Sequence, residues 1–228
     1  MVAKNLKDKY IGSAIGISWA IINPVLITLA VTFVFTCVIK TGVRYFPLLV
    51  LSGFLPWSFF VNSICEATIS IKQNLDILNR FVIPREIIPL SVVAANFVNF
   101  LLGFVIMMPI FIIYNIGIIK YLWLLPCIML LHFIFTLGIS MLFSVVNVYF
   151  KDLSQLLNVG TMFLFWLTPV FYTMDTVPPA YRWLIFANPA ASFIVIYQEL
   201  LYKGSFPGKV IWLSAGMISL ISLIGGYC

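Results

Sequence analysis

The sequence predicts an all-α integral membrane protein. It would have six transmembrane helices, an N-terminal interfacial helix, and short re-entrant or gating helices before the last span. Three observations predict this. First, 63% of the 228 residues are hydrophobic and only 9% are charged, whereas about 25% of a soluble domain is charged. Second, mean hydropathy is +1.12, more apolar surface than a globule this size can hide. Third, the charges are gathered together. They leave runs free of Asp, Glu, Lys and Arg at Tyr10–Ile39, Tyr45–Cys65, Ile87–Ile119, Tyr121–Phe150, Leu153–Met174, Trp183–Gln198 and Val210–Cys228. A spanning helix needs about 20 apolar residues, and every run but one meets or nearly meets that. The exception, Trp183–Gln198, carries Asn188-Pro189 and reads as interfacial or re-entrant. Helix is preferred over barrel strands, because those alternate polar with apolar residues over about 10 positions.

The chain reads as one transmembrane domain, 1–228. Ala3, Leu6, Tyr10, Ala14 and Ile17 recur at helical spacing, while Lys4, Asn5, Asp8 and Lys9 point elsewhere. That pattern is a helix lying in the interface over 1–17, with an ordinary basic anchor as the alternative. Its resemblance to a signal peptide is superficial, because the apolar run is too long and lacks a small-residue cleavage site. Gly12 and Gly16 form either an elbow or a close helix contact. Spans follow over roughly 19–39 and 46–71. A polar connector, 72–86, holds Lys72, Asp76, Arg80, Arg85 and Glu86. Its middle can form a short helix that Pro84 ends. Further spans cover roughly 87–113, 121–149 and 156–172, with Lys151-Asp152 marking a tight turn. A longer connection, 173–209, contains Pro178-Pro179, Asn188-Pro189 and Pro207-Gly208, and the last span is 210–227.

Basic residues set the orientation. A cytoplasmic N-terminus puts seven of them inside and six outside. The near tie is broken by Lys4, Lys7 and Lys9 and by the connector, each a concentrated cluster. The expected orientation therefore has the N-terminus cytoplasmic. The net charge of +6 reflects such anchors, and no basic stripe interleaved with exposed aromatics suggests nucleic acid.

Little in the sequence carries catalytic chemistry. There is no phosphate loop of the Gly-x-x-x-x-Gly-Lys-Ser/Thr type, so ATP cannot be hydrolysed here by that route. The four cysteines show no metal spacing and read as packing residues. His132, the one histidine, is either a functional polar group at membrane depth or, the reading favoured, neutral and bonded to a neighbouring helix. Glu66 either lines a polar path, reaches the interface or pairs with Lys72. Span centres are nearly free of ionisable groups, which argues against ion-coupled transport and suits a passage driven by a partner. Aromatics cluster at Phe54, Trp57, Phe59 and Phe60, and again at Phe163, Phe165, Trp166, Phe171 and Tyr172. Mid-membrane aromatics present faces on which sugar rings can slide; packing or lipid contact is the alternative. The candidate conduit aromatics are Trp57, Phe60, Phe163, Phe165, Trp166 and Tyr172.

Several segments in order resemble the membrane subunits of ABC-type polysaccharide exporters. These are Leu6-Lys7-Asp8-Lys9-Tyr10 with Ser13, Gly16, Trp19 and Pro24; Gly53-Phe54-Leu55-Pro56-Trp57; Phe81 through Pro89; Tyr149-Phe150-Lys151-Asp152; and Phe165 through Tyr172. Pro178, Asn188-Pro189 and Gly204 continue the pattern. The family exports O-antigen, capsular polysaccharide and teichoic acid. The resemblance implies a half-transporter, paired as a homodimer with two cytoplasmic ATPase subunits that hold ATP and Mg, this chain binding no cofactor itself. It implies that Asp76, Arg80, Pro84, Arg85 and Glu86 belong to a coupling helix docking on the ATPase. Lys4, Lys7, Lys9 and Tyr10 would form a second contact. The basic residues there would attract either the pyrophosphate of a lipid-linked glycan or anionic membrane lipid. The first and fifth spans would line the conduit and 173–209 would gate it. Family members usually carry a few tens more residues, with a basic tail after the sixth span, so the pattern implies a chain shorter than its family. Many relatives have Arg where Lys9 and Lys151 stand, which keeps charge without bidentate bonding. The rival readings are an ABC-type permease for a drug or small lipid, and an integral-membrane glycolipid-modifying enzyme. The enzyme would need acidic or His residues gathered at one face, and Asp152, Asp175 and Glu199 are scattered.

Overall fold

The computed structural model describes Val2 and residues 19–75, 84–114 and 116–227, and among these every regular element is helical. α1 (Trp19–Phe33) runs on through a widened π turn, Val34–Val38. α2 (Phe46–Gln73) and α3 (Ile87–Tyr114) follow. A 3₁₀ segment, Ile116–Leu124, leads into α4 (Leu125–Tyr149). α5 is Leu153–Leu167. Two short helices, α6 (Arg182–Phe186) and α7 (Pro189–Gln198), precede a π turn, Glu199–Lys203, and then α8 (Lys209–Tyr227).

Four stretches are long and apolar enough to cross a membrane: Phe46–Gln73, Ile87–Tyr114, Ile118–Tyr149 and Lys209–Tyr227. A fifth is reached if Pro179–Phe186 and Pro189–Lys203 count as one span, but these bend by 112° at their junction. Helices stand at the predicted first and fifth positions too. They are shorter, Ile22–Val38 and Leu153–Leu167. The helix expected over 1–17, with Lys4, Lys7, Lys9 and Tyr10, lies outside the described residues, as do Asp76 and Arg80 in the connector.

α2 is the central helix. It packs against α1, α3, α4, α5 and α7. Its Phe59 stacks on Phe100 of α3 and Phe60 on Phe135 of α4, both with ring centroids 5.3 Å apart. Proline lies inside α1, α2 and α3, at Pro24, Pro56 and Pro109. Membrane helices tolerate it when neighbours and local adjustments satisfy the freed carbonyls.

α4 and α8 approach each other through small residues. Lipid gives two apolar helices no hydrophobic reason to pair, so close packing and polar contacts must hold them. A Cβ on Gly138 would collide with the backbone of Ser222, and one on Gly226 with the backbone of Gly138. Ser219 Oγ donates across the contact to the Leu131 carbonyl at 2.9 Å.

Helix direction sorts the loops. The Lys40–Tyr45 loop, the end of α3, the start of α4 and the 168–208 connection share one end of the bundle, the hairpin end. The end of α2, the start of α3, Lys151-Asp152 and the end of α8 share the other, the connector end.

Candidate functional site

The connector end begins where α2 stops. Asn74 N–H bonds the Ser70 and Ile71 carbonyls, and its Nδ2 donates to Ser70 O at 2.8 Å. Lys72 sits exposed in that last turn, where a cation complements the helix dipole. The chain returns at Pro84, whose carbonyl accepts from Ile87 N–H at 3.2 Å and starts α3. Pro84, Arg85 and Glu86 are all exposed there. The three described members of the predicted coupling set therefore face outward together. Behind Arg85 and Glu86 lies a cavity of about 300 Å³ walled by Ile71, Pro89, Met141 and Val145 and closed by Gly225 to Tyr227. About two turns deeper, Asn96 Nδ2 donates to Glu66 Oε2 at 2.8 Å. Glu66 thus ties α2 to α3, a contact that none of the three sequence alternatives contained.

The six candidate aromatics divide. Trp57 is 4% exposed and Phe60 6%, so both belong to the core of the chain. Phe163 is 66% and Trp166 63% exposed, alongside Leu156, Val159 and Met162 on the same helix. Only Thr161 of α5 is buried. Phe165 connects the two sets, 5.9 Å from the Trp57 ring, 5.6 Å from Trp166 and 5.1 Å from Phe171. Tyr172 turns back, its hydroxyl donating to the Leu167 carbonyl at 3.1 Å.

The turn after α5 is held by residues that the aromatic pattern hid. Asn188 caps α7 by accepting from Ala190 N–H at 3.1 Å, and its Nδ2 donates to Thr168 Oγ1 at 2.7 Å. Gln198, at the other end of α7, donates through Nε2 to the carbonyls of Pro169 (2.5 Å) and Tyr172 (3.2 Å). Gly53 of α2 lies under the same turn, where a Cβ would meet Val170 O at 2.7 Å. Farther out, Lys203 pairs with Asp175 and Glu199, and Ser205 Oγ donates to Glu199 Oε2 at 2.7 Å. A polar residue inside an apolar run was the available signal for Gln198. Asn188 was noticed only as part of Asn188-Pro189; an Asn directly before a Pro was the available signal for a helix start, and its partner twenty residues upstream left none.

His132 departs from expectation. It is fully buried, and among the described residues neither ring nitrogen has a hydrogen-bond partner. It stacks on Phe193 of α7, centroids 4.8 Å apart, with Phe59 edge-on at 5.2 Å and Tyr197 at 5.8 Å. Ring packing, not a helix-to-helix hydrogen bond, fixes it. Its position makes α4 part of the seat for the bent α6–α7 pair.

Among the described residues, no group of His, Cys, Asp and Glu is placed to hold a metal ion. The arrangement offers an outward-facing charged end, an exposed aromatic helix, and a bent hairpin bonded to the turn that follows that helix. Residues 1–202 match the family described as ABC-2 type transporter. Among curated relatives, two from Klebsiella pneumoniae bear the name O-antigen export system permease protein RfbA. One is 34% identical over 202 residues, covering 88% of this chain and 78% of the relative. The other is 31% identical over 203 residues, covering 89% and 78%. A Myxococcus xanthus protein of the same name is 28% identical over 225 residues, covering 98% and 86%. With the match covering most of its length, this chain belongs to the ABC-2 type transporter family.

Proposed function

We propose that this chain is the membrane subunit of an ATP-driven exporter that moves a lipid-linked polysaccharide or polyol phosphate, of O-antigen, capsule or teichoic acid type, across the bacterial cytoplasmic membrane. The observation that carries the reading is similarity, over nearly nine-tenths of the chain, to proteins named as O-antigen export permeases. The family supports a separate ATPase as the energy source. On this reading two ATPase copies hold ATP and Mg, and two copies of this chain form the passage.

The mechanism is mechanical. Closure of the ATPase dimer pushes on the connector, where Lys72, Arg85 and Glu86 face outward. α2 and α3 begin or end at that connector and carry the motion through the bundle. At the other end, Asn188 and Gln198 link the turn after α5 to the hairpin, so α5 and the hairpin move as a coupled pair. Phe163 and Trp166 present the track for the glycan, with Phe165 bracing it against Trp57. Trp57, Phe60 and Tyr172 support that face from inside the chain. In this reading Ile22–Val38 and Leu153–Leu167 are the first and fifth of six spans. At 1.5 Å per residue the first, counted from Trp19 to Val38, reaches about 30 Å, while Leu153–Leu167 reaches about 22 Å, short of the roughly 30 Å hydrocarbon layer. A helix beside a passage meets a second copy and substrate, not only lipid, so it tolerates that shortfall. The N-terminus is cytoplasmic.

Replacing Asp76, Arg80 and Arg85 together tests the coupling. The expected result is loss of co-purification with an ATPase subunit while the thermal unfolding of the membrane subunit is unchanged. Undiminished co-purification would remove the connector from that role. An ATP-stimulated export assay on the reconstituted pair tests the cargo class, and transport of a free drug but no lipid-linked glycan would replace this reading with that of a small-molecule permease.

A further inference from the structure

We infer that the hairpin end carries a binding site for one bilayer phospholipid with an anionic headgroup, seated behind α1 between α2 and α3. A cavity of about 370 Å³ lies there. Its walls are Val25 and Thr28 of α1, Leu48 and Leu51 of α2, and Met107 and Ile110 of α3. Tyr45 and Tyr114 line it as well, and their rings meet edge-on, 5.3 Å apart. Tyr45 caps the start of α2 and Tyr114 ends α3, so this ring pair marks the mouth. Met107 is seven residues below Tyr114, which places the floor roughly 10 Å into the bilayer at 1.5 Å per residue.

The shape selects an acyl chain. The slot has walls from three helices, and Leu29 and Ile110 at its margin are exposed, so it is reached sideways from lipid. Burial of apolar area gains nothing between lipid and protein, but an unfilled slot forfeits dispersion contacts along all three walls. One lipid tail restores them.

The charge selects the headgroup. Arg44 sits at the mouth, its guanidinium 4.8 Å from the Tyr45 ring centroid, with one N–H donated to the Tyr45 hydroxyl at 3.0 Å. A guanidinium has five N–H donors, so the ring and one hydroxyl leave most of its capacity for a phosphate, which it can grip bidentately. The Arg44 carbonyl accepts from Tyr202 at 2.8 Å, which steadies the loop. Lys40 is exposed in the same loop, and no acidic residue occurs from Lys40 to Cys65. Among the described residues, Asp175 and Glu199 at this end are both engaged by Lys203. The mouth is therefore a cationic rim over an apolar slot, complementary to a phosphodiester above a hydrocarbon tail. The site stands on α1 to α3 and the loop before α2, which Tyr202 steadies, and does not depend on what the protein exports.

The test is native mass spectrometry of the full-length chain with its partners, delipidated and titrated with phosphatidylglycerol and with phosphatidylethanolamine. The wild type should retain one phosphatidylglycerol per chain in preference to phosphatidylethanolamine. Arg44→Gln should weaken that retention about tenfold, in keeping with the loss of charge-assisted bonds to a phosphate. Ile110→Trp should abolish retention by filling the slot, while Ile224→Trp, on the exposed face of α8, should leave it unchanged. Equal retention of the two lipids by the wild type, or wild-type retention in both Arg44→Gln and Ile110→Trp, would overturn the site. Displacement of the phospholipid by an added polyprenyl phosphate would overturn its assignment to a bilayer lipid.

Discussion

α2 and α5 are both apolar helices rich in Phe and Trp, yet one is the centre of the molecule and the other its edge. Eighteen of the 28 residues of α2 are buried. Of the 15 in α5, Thr161 alone is. Trp57 and Phe60 face rings of their own chain, whereas Phe163 and Trp166 face outward from it. In a lipid solvent both faces are equally comfortable, so composition does not separate a core aromatic from one held ready for a partner or substrate. Neighbouring helices separate them. Four helices and a hairpin surround α2, while α5 leans on α2 and α4 by one side only.

That contrast can be broken or sharpened by substitution, most severely where backbones touch. Gly138→Leu should drive α4 and α8 apart, since even a Cβ there collides with Ser222 backbone. The expected cost is about 3 kcal/mol or more, read as loss of a monodisperse peak in size-exclusion chromatography. Persistence of that peak would show that the small-residue contact yields. Phe60→Ala should come next, at about 3 kcal/mol, because it empties the space beside His132 and Phe135. A thermal melt of the purified subunit measures it. Asn188→Ala removes a helix cap and the bond to Thr168 and should cost about 1–2 kcal/mol in the same melt. The smallest stability effect is expected at the edge. Phe163→Ala and Trp166→Ala should shift stability by about 0.5 kcal/mol or less. Export should nevertheless fall about fivefold in each, the equivalent of roughly 1 kcal/mol per lost aromatic contact, with basal ATP hydrolysis intact. A large drop in melting temperature with normal export would place α5 in the core of the assembly and remove the aromatic track.

Much of the fold was legible because charge is so costly inside a bilayer. Charged residues such as Arg44, Lys72 and Lys151 punctuate the chain, and the charge-free runs between them fall on helices at all six predicted positions. Length was less legible. The run Leu153–Met174 reads as a full span, but α5 ends at Leu167 because Thr168-Pro169 turns the chain, with Thr168 extended and bonded to Asn188. Likewise Trp183–Gln198 reads as one short piece and is two helices, divided at Asn188-Pro189. Of the candidate site, Pro84, Arg85 and Glu86 could be picked out as a group because they adjoin in sequence, and they stand exposed together. The aromatic set was legible by type but not by direction.

The sequence alone determined that this chain lives in lipid, roughly where its longer helices lie, and which family it joins, since each rests on local apolarity or on short motifs read in order. Tertiary structure alone decided which aromatics are core and which are surface, that Glu66 meets Asn96, and that Asn188 and Gln198 grip the turn after α5. The physical reason is the solvent. In lipid, inside and outside are equally apolar, so the hydrophobic pattern that reveals burial in water is silent, and only the packing of one helix against another can say which face is which.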